Sequence, residues 1–227
     1  VHEYKFVYVC VRKAASSAIH TILDEVFGVD VYAGSSCPNN TSREHLIYRC
    51  TTLALTEEVL RDYFFFTYVR DPLARFYSGV VQLAENQDAG FVLDRVNGPE
   101  QLAALLYDMQ RLSFIPNDHL ETQAFVLSSP VLVAGRVEMV DFDWIEWSER
   151  LGQSFPRLLD RIEAHAGKHI PAALRARSEA LAAEFKNVQA ASRYSEMVKS
   201  WRTDWLDQLV RETYKQDFAC FALERPT

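Results

Sequence analysis

Two apolar runs without polar alternation constrain this chain more than any other feature. They are Lys5-Phe6-Val7-Tyr8-Val9-Cys10-Val11 and Tyr63-Phe64-Phe65-Phe66-Thr67-Tyr68-Val69. A strand with one face in water alternates apolar and polar residues. Runs rich in β-branched and aromatic side chains throughout read instead as strands covered on both faces, the usual state in a parallel sheet. Each run leads into a loop and then a helical segment. After the first come Arg12-Lys13-Ala14-Ala15-Ser16-Ser17-Ala18 and a helix from Ile19 to about Phe27, with Gly28 as its stop. After the second, Asp71 reads as an N-cap and Pro72 as the first residue of a helix through about Leu83. Thr56 caps a short helix before the second strand, with Glu57 and Glu58 in the turn where the helix dipole favours acids. Two strand–turn–helix units this close together predict an α/β fold with a parallel sheet.

Farther along, residues 86–98 are polar and broken by glycines, and read as a loop. Gln101 to Arg111 is expected to be helical, and Val131–Val133 and Val137–Val140 to be short strands. Helices are expected over residues 143–151, 155–166, 172–186 and 203–217, which makes the C-terminal half helix-rich. The last has Leu206, Leu209, Val210, Thr213 and Tyr214 at helical spacing and Thr203 as its cap. No repeat, low-complexity tract or linker interrupts the chain, so residues 1–227 are expected to form one domain. The 227 residues, 48% of them hydrophobic, supply a core of that size.

A net charge of -7 argues against a general nucleic-acid binder, since phosphate-backbone affinity rests on clustered Lys and Arg. Cys10, Cys37, Cys50 and Cys220 form no CxxC pair, which removes support for zinc or thioredoxin-like chemistry. Cys10 reads as a small buried side chain, and a Cys37–Cys50 disulfide stays open. No apolar stretch approaches the roughly 20 residues of a membrane span, and the chain opens almost directly on a strand, without a signal peptide.

Chemistry is concentrated in the two loops. A buried strand feeding a short loop and a helix points the helix's free N–H groups beyond the sheet edge, which makes a ready anion site. Ala14, Ala15, Ser16, Ser17 and Ala18 are small enough for the backbone to approach a phosphate, the serines add hydroxyl donors, and Lys13 adds a mobile charge. This is not the triphosphatase pattern GxxxxGK[ST], because no glycine precedes residue 28. A solvated strand-end turn is the alternative reading. In the second loop Arg70 stands at a strand end. Ser78 lies about two turns into the next helix, on a face shared with Arg75. Arginine beside a helix serine suits a phosphate; a structural Arg–Asp pair is the alternative.

Together the loops resemble the cofactor signatures of the sulfotransferases that use 3′-phosphoadenosine 5′-phosphosulfate (PAPS). Residues Val11 to Ser17 are similar to the 5′-phosphosulfate loop. Phe66-Thr67-Tyr68-Val69-Arg70-Asp71-Pro72-Leu73-Ala74-Arg75-Phe76-Tyr77-Ser78 is similar to the 3′-phosphate element. Gly135-Arg136-Val137-Glu138 through Glu149-Arg150-Leu151-Gly152 resembles the Golgi-type branch that sulfates carbohydrates. Tyr214-Lys215-Gln216-Asp217-Phe218-Ala219-Cys220-Phe221 resembles that branch's closing motif. Arg12 departs from the proline common before the lysine, and Ser17-Ala18 from a commoner Thr-Ser or Thr-Asn pair. The resemblance implies a three-layer, P-loop-like fold with a central, mainly parallel sheet flanked by helices.

It also implies roles. Arg12, Lys13, Ala14, Ala15, Ser16, Ser17 and Ala18 would hold the 5′ side of PAPS, with Lys13 catalytic at the leaving oxygen. Arg70 and Ser78 would hold the 3′-phosphate. Arg193 stands where the family often places a basic cofactor contact. No metal is needed. The acceptor would be a hydroxyl of a carbohydrate or small metabolite, and a histidine would take its proton. His45, between the two elements, is the expected base and His119 the runner-up. His119 and Gln123 belong to a segment similar to one near the family's acceptor. His20 reads as structural, and Trp144, Trp147, Trp201 and Trp205 as packing residues. A small-molecule kinase and a non-catalytic nucleotide-binding module remain the competing readings. Arginine and alanine usage points to a bacterial-like, cytoplasmic protein, while the sequon Asn39-Asn40-Thr41 keeps a Golgi lumen open.

Overall fold

The apolar runs form Phe6–Tyr8 (β1) and Phe64–Val69 (β2), and every residue of β2 is buried. This computed structural model describes residues 1–28, 56–85, 96, 98–112, 119–128, 130–185 and 193–221. The chain divides into two units, Val1–Val69 with Val126–Asn187, and Arg70–Phe125 with Val188–Thr227.

In the first unit β2 is the central strand of a three-stranded sheet in the order β1, β2, Trp144–Trp147 (β5), parallel throughout. Strand periodicity sends alternate side chains to opposite faces. Phe6, Phe64, Phe66 and Tyr68 meet Ile19, Ile22 and Leu23 of Ser16–Glu25 (α1) and the apolar stripe of Leu151–Ala166. Val7 and Phe65 meet Val59 of Glu57–Asp62 (α2). The expected parallel sheet between helices is therefore present. A hairpin of Val131–Val133 (β3) and Arg136–Glu138 (β4) stands apart from it.

The second unit is helical. Pro72–Glu85 (α3) and Pro99–Leu112 (α4) come from its first segment, as do the first three residues of Gln123–Leu127 (α5), whose last two are assigned to the first unit. In the first unit Leu151–Ala166 is α6 and Ala172–Glu184 is α7. The second unit then closes with Arg193–Ser200 (α8), Asp204–Thr213 (α9) and Lys215–Phe221 (α10). Leu73, Phe76, Val80, Leu102, Leu106, Val198, Leu206 and Tyr214 share its core.

Capping proceeds as the residue types dictate. Thr56 accepts from the N–H of Val59, Asp71 from that of Ala74 and Thr203 from that of Leu206. Gly28 follows α1 with φ 61°. Two helix expectations change. Residues 143–151 are not one helix: Trp144–Trp147 is the third parallel strand and a 3-10 turn, Ser148–Arg150, follows. Asp143 starts the pairing, donating its N–H to Phe65 O at 2.9 Å and accepting the N–H of Phe65 on Oδ2 at 2.7 Å. The helix expected over 203–217 breaks at Tyr214, which leaves α9 and α10 as separate segments. The α5 and α8 segments are additional to the sequence reading. Cys10 is half-buried and Cys220 exposed. Residues 29–55, with Cys37, Cys50 and the sequon, lie outside the described residues.

Candidate functional site

The first loop leaves β1 tied to its neighbour. Thr67, fully buried in β2, donates its hydroxyl to Val9 O at 2.8 Å, and the N–H of Val9 donates to Phe66 O at 3.0 Å. Val11 and Ala14 are fully buried, and the Ala14 N–H closes a turn onto Val11 O at 3.3 Å. Lys13 has φ 66° and Ala15 φ 61°, left-handed values that cost a residue with a side chain about 1–2 kcal/mol each. Left-handed residues on either side of Ala14 curl the backbone, the kind of alternation that makes successive N–H groups converge on an anion.

Helix α1 then starts at Ser16. Its N-cap is Ala15, no side chain caps it, and its first turn carries no acidic residue. α2, α3 and α9 are each closed by a Thr or Asp oxygen, whereas α1, like α6 and α7, starts without a side-chain cap; what sets α1 apart is the pair of left-handed residues, Lys13 and Ala15, leading into it. The N–H groups of Ser16, Ser17 and Ala18 have no carbonyl in a preceding turn to take them. Open N–H groups with the positive end of a helix dipole behind them can take an anion's oxygen. Lys13 and Ser16 are half-buried and Ser17 is exposed. His20, one turn into α1, packs edge-on against Tyr8 at 6.0 Å between ring centroids. Burial, then the Arg12 guanidinium, holds His20 below its ordinary pKa.

In the second unit Arg70 directly follows the last residue of β2. Its N–H donates to Gln123 Oε1 at 2.8 Å, and its carbonyl accepts from Gln123 Nε2 at 2.8 Å. Ser78 lies on α3 with 4% of its surface exposed. Arg75 is fully buried on the same helix and donates to Glu121 O. Tyr214, also fully buried, donates its hydroxyl to Leu120 O. Asp217 on α10 accepts the N–H of Gln123 at 2.9 Å and of Ala124 at 2.7 Å. Burial raises the Asp217 pKa, and those two backbone bonds oppose the rise.

Of the expected residues, the first unit places Arg12 through Ala18 in one loop and helix start. The second places Arg70 and Ser78 on α3 and the residues leading into it. His119 is half-buried and its carbonyl lies against Gly79 of α3. Gln123 is fully buried, and both ends of its side-chain amide bond to the backbone of Arg70. Arg193 opens α8. His45 lies outside the described residues. The sequence reading assigned no role to Thr67, Arg75 or Asp217, although each falls within a quoted motif.

Residues 1–224, which carry both loops and the closing motif, match the model of the Sulfotransferase family. The chain belongs to the sulfotransferase family. No curated protein and no solved structure matches it. The membership makes the protein an enzyme that transfers a sulfuryl group, and its α/β architecture is consistent with the family's P-loop-like fold. The expected Golgi-type branch is consistent with the same family. Among the described residues of this sulfotransferase, no three His, Cys, Asp or Glu side chains gather as a metal-ligand set, and no helix is long and apolar enough to cross a membrane.

Proposed function

We propose that this sulfotransferase, acting as one domain over residues 1–227, moves a sulfuryl group from PAPS to a hydroxyl of a carbohydrate or small metabolite. The observation that carries the reading is the start of α1. An uncapped helix N-terminus follows two left-handed residues, one of them the lysine of the family's donor loop.

In this reading the N–H groups of Ser16, Ser17 and Ala18, with the serine hydroxyls, hold the 5′-phosphate. Arg12 adds positive charge to the loop. Lys13 neutralises the charge that builds on the leaving phosphate oxygen. Arg70 and Ser78 take the 3′-phosphate, the group that separates this donor from an ordinary adenosine nucleotide, and Arg193 adds a further basic contact. The reaction is an in-line displacement. The acceptor oxygen forms a bond to sulfur while the bond from sulfur to the bridging phosphate oxygen breaks, and 3′-phosphoadenosine 5′-phosphate departs with the electron pair. The acceptor's proton passes to a histidine, His45 first and His119 second. Positioning and electrostatics supply most of the acceleration in such transfers, so no metal ligand set is required.

The test is calorimetric titration with 3′-phosphoadenosine 5′-phosphate, 5′-AMP and ATP on wild type and Arg70→Ala. Binding that needs the 3′-phosphate and is lost in the variant is the expected result. Equal or tighter binding of ATP, or no binding, refutes the donor assignment and favours a kinase or a silent nucleotide-binding module.

A further inference from the structure

We infer that Gln123 and Asp217 are positioning residues that fix the backbone of Arg70, and through it the recognition of the donor's 3′-phosphate. The inference rests on the donor reading above.

Arg70 is the first residue after β2, so it has just left the ladder that orders Phe64–Val69. One side chain takes the ladder's place. Gln123 accepts the Arg70 N–H and donates to the Arg70 carbonyl, both at 2.8 Å, as a neighbouring strand would. Both bonds are shielded, because Gln123 is fully buried. With the N–H and the carbonyl of one residue held together, the direction in which its side chain leaves the backbone is set.

A glutamine side chain has three rotatable bonds and holds a partner firmly only if its own backbone is anchored. Asp217 supplies that anchor from 94 positions along the chain, with Oδ2 on the N–H of Gln123 and Oδ1 on the N–H of Ala124. Thr122 takes only the N–H of Phe125, at 3.2 Å, so Asp217 completes the start of α5 by taking the two N–H groups before it, and in doing so fixes the backbone that carries the Gln123 side chain. Asp217 is fully buried as well, and burying a carboxylate is costly unless its hydrogen bonds compensate. The chain of contacts runs from the closing motif to α5 to Arg70, entirely within the second unit.

The experiment compares the affinities for 3′-phosphoadenosine 5′-phosphate and 5′-AMP by calorimetry in wild type, Gln123→Met, Gln123→Glu and Asp217→Asn. Gln123→Met keeps the length and apolar bulk and removes both bonds. It is expected to cut the preference for the 3′-phosphate by about tenfold, with 5′-AMP affinity and stoichiometry unchanged. Gln123→Glu keeps an acceptor for the Arg70 N–H and loses the donor to its carbonyl, and Asp217→Asn keeps one of two acceptor oxygens; both should fall between. A purely structural role would lower stoichiometry or weaken both ligands alike and leave their ratio intact, and that result overturns the inference. So does a wild-type ratio in Gln123→Met, or in Gln123→Glu alone should the methionine variant not fold. A wild-type protein indifferent to the 3′-phosphate refutes the donor reading itself, and the inference with it; discrimination in wild type with unchanged variants refutes only the inference.

Discussion

Gly79 sits inside α3, where alanine would ordinarily stabilise a helix by about 1 kcal/mol. We expect Gly79→Ala to destabilise this protein instead. A Cβ there would lie 2.6 Å from the carbonyl oxygen of His119 and 3.0 Å from Leu120 Cδ2. Ordinary contact starts at 3.4 Å, so the oxygen is 0.8 Å too close, and it belongs to backbone rather than to a flexible tip. The strand of chain that must yield is pinned: Leu120 O accepts from Tyr214 and Glu121 O from Arg75. Overpacking of this kind costs about 1–3 kcal/mol, and a pinned neighbour places it at the upper end. Subtracting the helix-propensity gain leaves a net loss of about 2 kcal/mol, or about 4–8 °C in the thermal midpoint. The same displacement pushes on the segment leading to Gln123, so the preference for the 3′-phosphate should weaken too. The assay is thermal unfolding of Gly79→Ala beside Ala104→Gly, an exposed position of α4 that reports helix propensity alone and should lose about 1 kcal/mol. A midpoint raised in Gly79→Ala by what Ala104→Gly loses would refute the steric argument.

Two further outcomes follow from the first unit. Thr67→Val keeps shape and removes the hydroxyl bonded to Val9 O at 2.8 Å; it should cost about 1 kcal/mol in urea unfolding and weaken donor binding, because Val9 leads into the Lys13 loop. Unchanged stability and donor affinity would show that this bond does not hold the loop. For His20, whose pKa is depressed by burial and then by Arg12, the unfolded chain takes up a proton below 6.5 while the folded chain resists it. Stability therefore falls as pH drops through that window, and His20→Gln should flatten the slope measured by urea midpoints between about pH 7.5 and 5.5. An identical slope in the variant would remove His20 as its source.

Much of the site's chemistry is written in short stretches. The absence of polar alternation around Phe65 marks a strand buried on both faces. Thr56, Asp71 and Thr203 declare their helices because a cap acts on an N–H only two or three residues away. The Lys13 loop is legible for the same reason: small residues between a strand and a helix leave donors open whatever surrounds them. Its left-handed turns are not, since neither Lys13 nor Ala15 favours that conformation and only the surrounding packing holds it. Trp144–Trp147 shows another limit. Four residues suit a strand or a helix turn equally, and the decision rests with β2, to which they bond from more than 70 positions away. Likewise Arg70 could be named from its motif, yet its support could not. Gln123 lies 53 positions from Arg70, and Asp217 lies 94 from Gln123. A local pattern can specify what a residue offers; a partner that folding alone brings near decides what it does with it.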